Sequence, residues 1–210
     1  MAGLEALLAD RQLFIFDLDG TLADSSPIHA AAFAAALSPH GLAIDYALVE
    51  GLATTDAMRL VLERANRRAD DVTVTALVTA KRAAARDGLA AVREIKGAGG
   101  FVARAATSHR LALCTSAVRM TVDATLAALD LVGQFEIIVT ADDVPNAKPA
   151  PDPYLAVLEL AQIAAADALV FEDSEVGLKA AHAAGLETIR IGNGGSDWAY
   201  LSASLAGMAA

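Results

Sequence analysis

The sequence has little cysteine, little positive charge and no long apolar run, and each shortage excludes something. A single cysteine, Cys114, stands among 210 residues. No disulfide can form within the chain, a usage that fits a reducing compartment, the cytoplasm. Lysine and arginine number 16 against 26 aspartates and glutamates, a formal net charge of −10. A field of that sign repels the phosphates of nucleic acid and of anionic membranes, so neither is expected as a partner. No apolar run reaches the roughly 18 residues of a membrane span. The opening stretch, MAGLEALLADRQLFIFDLDG, lacks a basic start and carries Glu5 and Asp10 early, unlike a secretory leader. The expectation is a soluble cytoplasmic chain whose anionic ligands must be met by a local cation.

Hydrophobic residues, by contrast, make up 55% of the chain, and the many alanines among them favour helices and close helix packing. A chain of this length forms one full domain, or one domain with a smaller insert. Short apolar runs at 13–16, 111–114, 137–139, 168–171 and 188–191 end at or near polar residues or glycine: Asp17, Thr115, Thr140, Glu172 and Gly192. Runs this short and this uniformly apolar predict strands covered by helices on both faces. Helical stretches at 118–129, 153–162 and 175–184 separate the later runs. The expected fold is therefore α/β, a Rossmann-like doubly wound parallel sheet, with ligands at the carboxyl ends of its strands. Residues 22–91 hold no strand pattern; segments 27–37, 55–67 and 74–87 carry apolar residues at helical spacing. They predict an all-helical cap domain inserted after the first strand. The glycine-rich stretch at 96–100 marks the return to the core, ahead of a helix near 101–107. The domain boundaries expected are 1–21 and 92–210 for the core and 22–91 for the cap. No internal repeat is visible, and the small-residue tail at 203–210 is expected to fray.

The chemistry concentrates at strand ends. Asp17 and Asp19 flank Leu18 directly after the first run, with a turn at Gly20. Two carboxylates about 4 Å apart repel by roughly 4 kcal/mol at a surface-like dielectric, so a hard cation with oxygen ligands is the natural relief, and magnesium is the usual one beside phosphates. On its own the pair also reads as a solvated Asp-Gly turn. Glu172 and Asp173 follow the run at 168–171, where they also read as a cap for the next helix. Lys148 sits in AKPAPDPY, where prolines restrict the loop and fix its direction, although a lone lysine is usually a surface residue. Thr115 and Ser116 supply hydroxyls past the run at 111–114. In a parallel sheet all four features share one rim. Together they offer a carboxylate nucleophile, metal ligands, a cation and neutral donors, which is most of what phosphoryl transfer requires.

FDLDGT at 16–21, CTS at 114–116, AKPAPDPY at 147–154 and FEDSEVGLKAAHAAG at 171–185 resemble, in order and over nearly the whole chain, the four motifs of the haloacid dehalogenase superfamily. The subgroup with a helical cap after the first motif, which includes β-phosphoglucomutases and small sugar-phosphate phosphatases, is the most similar. The resemblance implies that Asp17 is the nucleophile and Asp19 the general acid and base. It implies magnesium on the Asp17 carboxylate, the Asp19 backbone carbonyl and Asp173, with Glu172 ligating directly or through water. Lys148, Thr115 and the Ser116 amide would then receive the phosphoryl oxygens. Asp19 argues against a true dehalogenase, since a leaving halide needs no proton. His29 matches a position near the hinge and substrate in the mutase branch, and Lys81 or Arg82 is the favoured specificity contact in the cap. One departure stands out: Thr54 occupies the place, three residues after Gly51, where those mutases carry a phosphate-gripping arginine. Hydrolysis of a small phosphorylated metabolite is thus favoured over isomerisation. A binding module that kept the fold is the third reading, weakened because each expected catalytic position holds a competent residue type.

Overall fold

The computed structural model describes residues 2–192 and 194–207. Its main sheet holds β1 (Leu13–Phe16), β4 (Arg110–Cys114), β5 (Ile137–Val139), β6 (Ala168–Glu172) and β7 (Glu187–Arg190), in the order β5-β4-β1-β6-β7. Every pairing in it is parallel. Strand alternation divides the side chains between two cores. Phe14, Phe16, Leu111, Leu113, Leu169 and Phe171 join one buried cluster, whereas Leu13, Ile15, Ala112, Cys114, Ala168 and Val170 join the other. The first cluster is covered by α5 (Ala98–Ala105), α6 (Arg119–Ala128) and α9 (Trp198–Gly207), the second by α7 (Asp152–Ala161) and α8 (Glu175–Ala183). The apolar runs thus form a doubly wound α/β sheet.

Aromatic packing closes the first cluster. The Phe16 and Phe171 rings stack at 4.8 Å, and Trp198 lies 4.9 Å from Phe101. The Trp198 indole donates to the Thr21 carbonyl at 3.0 Å. Helix α9 corrects the expectation of a fraying tail for residues 203–207, which continue a helix held by its apolar face, with Leu201 and Leu205 buried; residues 208–210 of that tail lie outside the described residues. Helix α1 (Ala2–Ala9) packs beside α9 and buries Leu8.

Between β1 and β4 the chain forms α2 (Ser26–Leu37), α3 (Thr54–Arg64) and α4 (Asp71–Leu89). They enclose a third cluster around Phe33, Met58, Leu62 and Leu77. The stretch expected to hold no strand includes a two-residue one: β2 (Ala23–Asp24) pairs antiparallel with β3 (Arg93–Glu94), so the chain leaves and re-enters the core side by side. Helix α3 ends earlier than its apolar spacing predicts, because Asn66 takes a left-handed φ of 51° that terminates it. Among the described residues no helix is long and apolar enough to cross a membrane.

Candidate functional site

Strand order determines what meets at the rim. Strands β4 and β6 both flank β1, so the residues after their carboxyl ends adjoin Asp17. Lys148, on the connection between β5 and α7, reaches in from the side and is 1% exposed. Its ammonium donates to Asp17 Oδ1 at 2.7 Å, to Glu172 Oε2 at 2.8 Å and to the Cys114 carbonyl at 2.9 Å. Burial works against that charge, yet the two carboxylates hold it well above the ordinary lysine range.

The acidic residues differ in environment. Glu172 is fully buried. Its Oε2 accepts from Lys148 and from the Tyr154 hydroxyl at 2.9 Å, while its Oε1 accepts from the amides of Asp173 and Ser174 and from the Ser174 hydroxyl. Burial raises its proton affinity, but Lys148 and the Ser174 donors outweigh that and keep it below the ordinary range. Asp17 goes the other way: burial and the Glu172 charge push it well up, against Lys148. Asp173 is raised to about 7 by burial and by Glu172, with partial relief from the Thr21 hydroxyl at 2.9 Å. Carboxylate oxygens of Asp17, Glu172 and Asp173 lie within 4.8 Å of one another. Three carboxylates against one ammonium leave an excess of negative charge in a buried place. That excess, carried on oxygen, fits a hard divalent cation such as magnesium.

Two glycines make room. Gly20 turns with φ 85°, and a Cβ there would strike Asp173 Oδ2. Gly177, inside α8, lies so close to Glu172 that a Cβ would fall within its carboxylate.

Asp19 faces the helical insert. Its Oδ1 accepts from Ser25 Oγ at 2.5 Å and lies 3.2 Å from His29 Nε2, and His29 Nδ1 lies 3.1 Å from the Lys81 ammonium. A proton on Nε2 satisfies both contacts, with Lys81 donating to Nδ1. Burial raises the Asp19 carboxyl, but His29, Ser25 and Lys81 together bring it below the ordinary range. Burial also lowers Lys81 to about 8, with Asp19 opposing.

Thr115 is buried, and its hydroxyl oxygen accepts from the Ala117 amide at 3.1 Å. The Ser116 hydroxyl donates to the Gly51 carbonyl of the insert at 2.9 Å. A cavity of about 70 Å³ opens beside Asp17 and Asp19 and is lined by Thr115, Ser116, His29, Lys81 and Arg82 among others. The sequence-predicted residues are thus gathered in three parts: Asp17 and Glu172 on the Lys148 ammonium with the Asp173 carboxylate within 4.8 Å of theirs, His29 and Lys81 behind Asp19, and Thr115, Ser116 and an exposed Arg82 around the cavity. Sequence reasoning missed Ser25, Thr21, Tyr154 and Gly177. The glycine inside the helical pattern of EVGLK was the one legible signal, since such a glycine marks a close approach.

The molecule is a doubly wound α/β protein with a largely helical insert and an acidic, lysine-bearing pocket at its carboxyl rim. A model of the haloacid dehalogenase-like hydrolase family matches residues 14–191, and the chain belongs to that family. Protein CbbY of Rhodobacter capsulatus is 34% identical over 190 residues, covering 83% of this chain and 82% of that protein. Fructose-1-phosphate phosphatase YqaB of Escherichia coli is 30% identical over 177 residues, covering 84% and 94%. A solved structure of a CbbY variant from Rhodobacter sphaeroides, in complex with xylulose 1,5-bisphosphate, superposes with a TM-score of 0.76 at 26% identity, covering 86% of this chain and 85% of that one.

Proposed function

We propose that this chain is a magnesium-dependent phosphatase that hydrolyses a small phosphorylated metabolite, of the sugar-phosphate kind, through an aspartyl-phosphate on Asp17. One observation carries the reading: the Lys148 ammonium sits 2.7 Å from the Asp17 carboxylate, inside a buried cluster with Asp173 and Glu172. The named activity of YqaB supports the reaction class.

In the first half-reaction Asp17 attacks phosphorus, the bond from phosphorus to the ester oxygen breaks, and Asp19 protonates the leaving alcohol. In the second, water attacks phosphorus, Asp19 takes its proton, the bond from phosphorus to Asp17 breaks, and inorganic phosphate leaves. The hydrogen bonds around Asp19 favour its carboxylate, the form required by the second half-reaction. Arrival of a phosphate dianion beside it raises its proton affinity, as the first half-reaction requires. Lys148, the Thr115 hydroxyl and the Ser116 amide receive the phosphoryl oxygens. Asp17, Asp173 and the Asp19 carbonyl would hold a magnesium ion, which would supply further positive charge to the phosphoryl group. Glu172, with five donors on its two oxygens, is assigned to positioning Lys148 rather than to direct metal ligation. Residues 22–91 act as a cap on the β2–β3 ribbon, excluding bulk water when closed.

The test is turnover of p-nitrophenyl phosphate and a panel of sugar phosphates, with magnesium and with chelator. Asp17→Asn is expected to abolish turnover while the fold persists. Asp19→Ala is expected to slow sugar phosphates at least tenfold more than p-nitrophenyl phosphate, whose leaving group departs without a proton. Equal losses on both would remove the acid role from Asp19, and no metal-dependent release from any substrate would retire the phosphatase reading.

A further inference from the structure

The wall that the helical insert contributes to the cavity is short of positive charge. Its basic residues are His29, Lys81 and Arg82. The Lys81 side chain is buried behind the His29 ring, facing Nδ1, and His29 in turn faces Asp19. Arg82 is exposed, and its guanidinium has no hydrogen bond or ion pair among the described residues. The rest of that wall is apolar at Phe33, Val49, Leu52 and Ala85, with the hydroxyl groups of Tyr46 and Thr54. Helix α3 opens at Thr54, but Asp56 in the same first turn offsets the partial positive charge of that helix end. Glu50 adds a carboxylate nearby: it accepts from Ser26 at 2.9 Å, and its charge is felt at Asp173.

Building on the phosphatase reading, we propose that the substrate carries a single phosphate on an uncharged, hydroxylated body, that Arg82 is the specificity-determining contact for its far hydroxyls, and that a second phosphate is rejected. A phosphate dianion taken from water to an apolar wall requires several charge-assisted donors in place of its hydration. One exposed arginine does not supply them. Neutral hydroxyls need less, and the guanidinium with the Tyr46 and Thr54 hydroxyls matches them.

The test reads binding, not turnover. The Asp17→Asn protein with magnesium is titrated calorimetrically with matched pairs: fructose 1-phosphate against fructose 1,6-bisphosphate, and ribulose 5-phosphate against ribulose 1,5-bisphosphate. Competition against p-nitrophenyl phosphate in the unmodified protein gives a second, independent ranking. Each monophosphate is expected to bind at least tenfold more tightly than its bisphosphate. Thr54→Arg is expected to narrow that gap at least fivefold, and Arg82→Ala to weaken monophosphate binding at least fivefold at an unchanged melting temperature. Bisphosphates that bind the parent protein as tightly as monophosphates, or no binding of either at millimolar concentration, would overturn the proposal. If the ranking holds while the unmodified protein releases nothing from p-nitrophenyl phosphate, the phosphatase reading falls and this one stands.

Discussion

Substituting Glu172 by Gln separates two roles for a carboxylate that the family resemblance implies as a metal ligand, directly or through water. The amide has one oxygen, and it must keep either the three donors on Oε1 or the two on Oε2. Two of the three Oε1 donors are backbone amides that cannot turn away, so the oxygen stays there. The new NH2 then faces the Lys148 ammonium and the Tyr154 hydroxyl where Oε2 accepted from both. Removing one partner of a buried ion pair costs about 3–5 kcal/mol. Lys148 keeps Asp17 and the Cys114 carbonyl, so the lower end applies. At about 2–4 °C per kcal/mol for a chain of this size, the melting temperature falls by about 6–12 °C. Magnesium affinity, read by calorimetric titration, shifts less than about tenfold, the low end for a residue behind the ligands. Asp173→Asn behaves oppositely. The fold holds the Asp173 carboxyl up near pH 7, so a neutral amide costs the metal-free protein no stability at neutral pH, while magnesium binding is lost. If Glu172→Gln lost magnesium as completely as Asp173→Asn and kept its melting temperature, the lysine-positioning role would be wrong.

Further outcomes follow from the same geometry. Gly177→Ala drives a methyl into the Glu172 carboxylate and is expected to cost about 1–3 kcal/mol by overpacking, read by urea denaturation, with loss of turnover. Lys81, lowered by burial from the ordinary 10.5 to about 8, loses its charge as pH rises through 8; kcat is expected to fall on an alkaline limb there that Lys81→Met lacks. Because the folded state binds fewer protons than the unfolded state between those values, stability rises with pH from about 8 to 10.5 in the parent protein, a slope also missing in the variant. Leu201→Ala, in α9, is expected to cost about 2–5 kcal/mol in chemical denaturation, because Leu201 is fully buried; a negligible loss would return the carboxyl-terminal segment to a fraying tail.

The sheet was legible because two-sided burial leaves a mark: each short run sends alternate residues to two cores, so both sets must be apolar. Parallel strands then place polar residues after those runs on one rim, and this is why Asp17, Thr115 and Asp173 were readable from spacing. The β2–β3 ribbon left no such mark, since two-residue strands have no period and their partners lie about 70 residues apart. The setting of Asp19 was hidden for a related reason: His29 meets Lys81 across 52 residues, between helices whose facing depends on how the insert packs.

The pair Glu172 and Asp173 carries the clearest lesson, because its two acids are adjacent in sequence but have opposite surroundings. Successive residues of a strand point to opposite faces. Glu172 shares its parity with Ala168 and Val170, whose cluster also holds Tyr154, and Tyr154 is one of its donors. Asp173 lies just past the end of β6, where Thr21 and the bare backbone of Gly20 meet it. One carboxylate is therefore surrounded by donors and held ionised, while its neighbour keeps a raised proton affinity that a cation would relieve. The two acids are thus unequal candidates for a metal, and it is the donors around each, set by the packing of the strand end, that separate them.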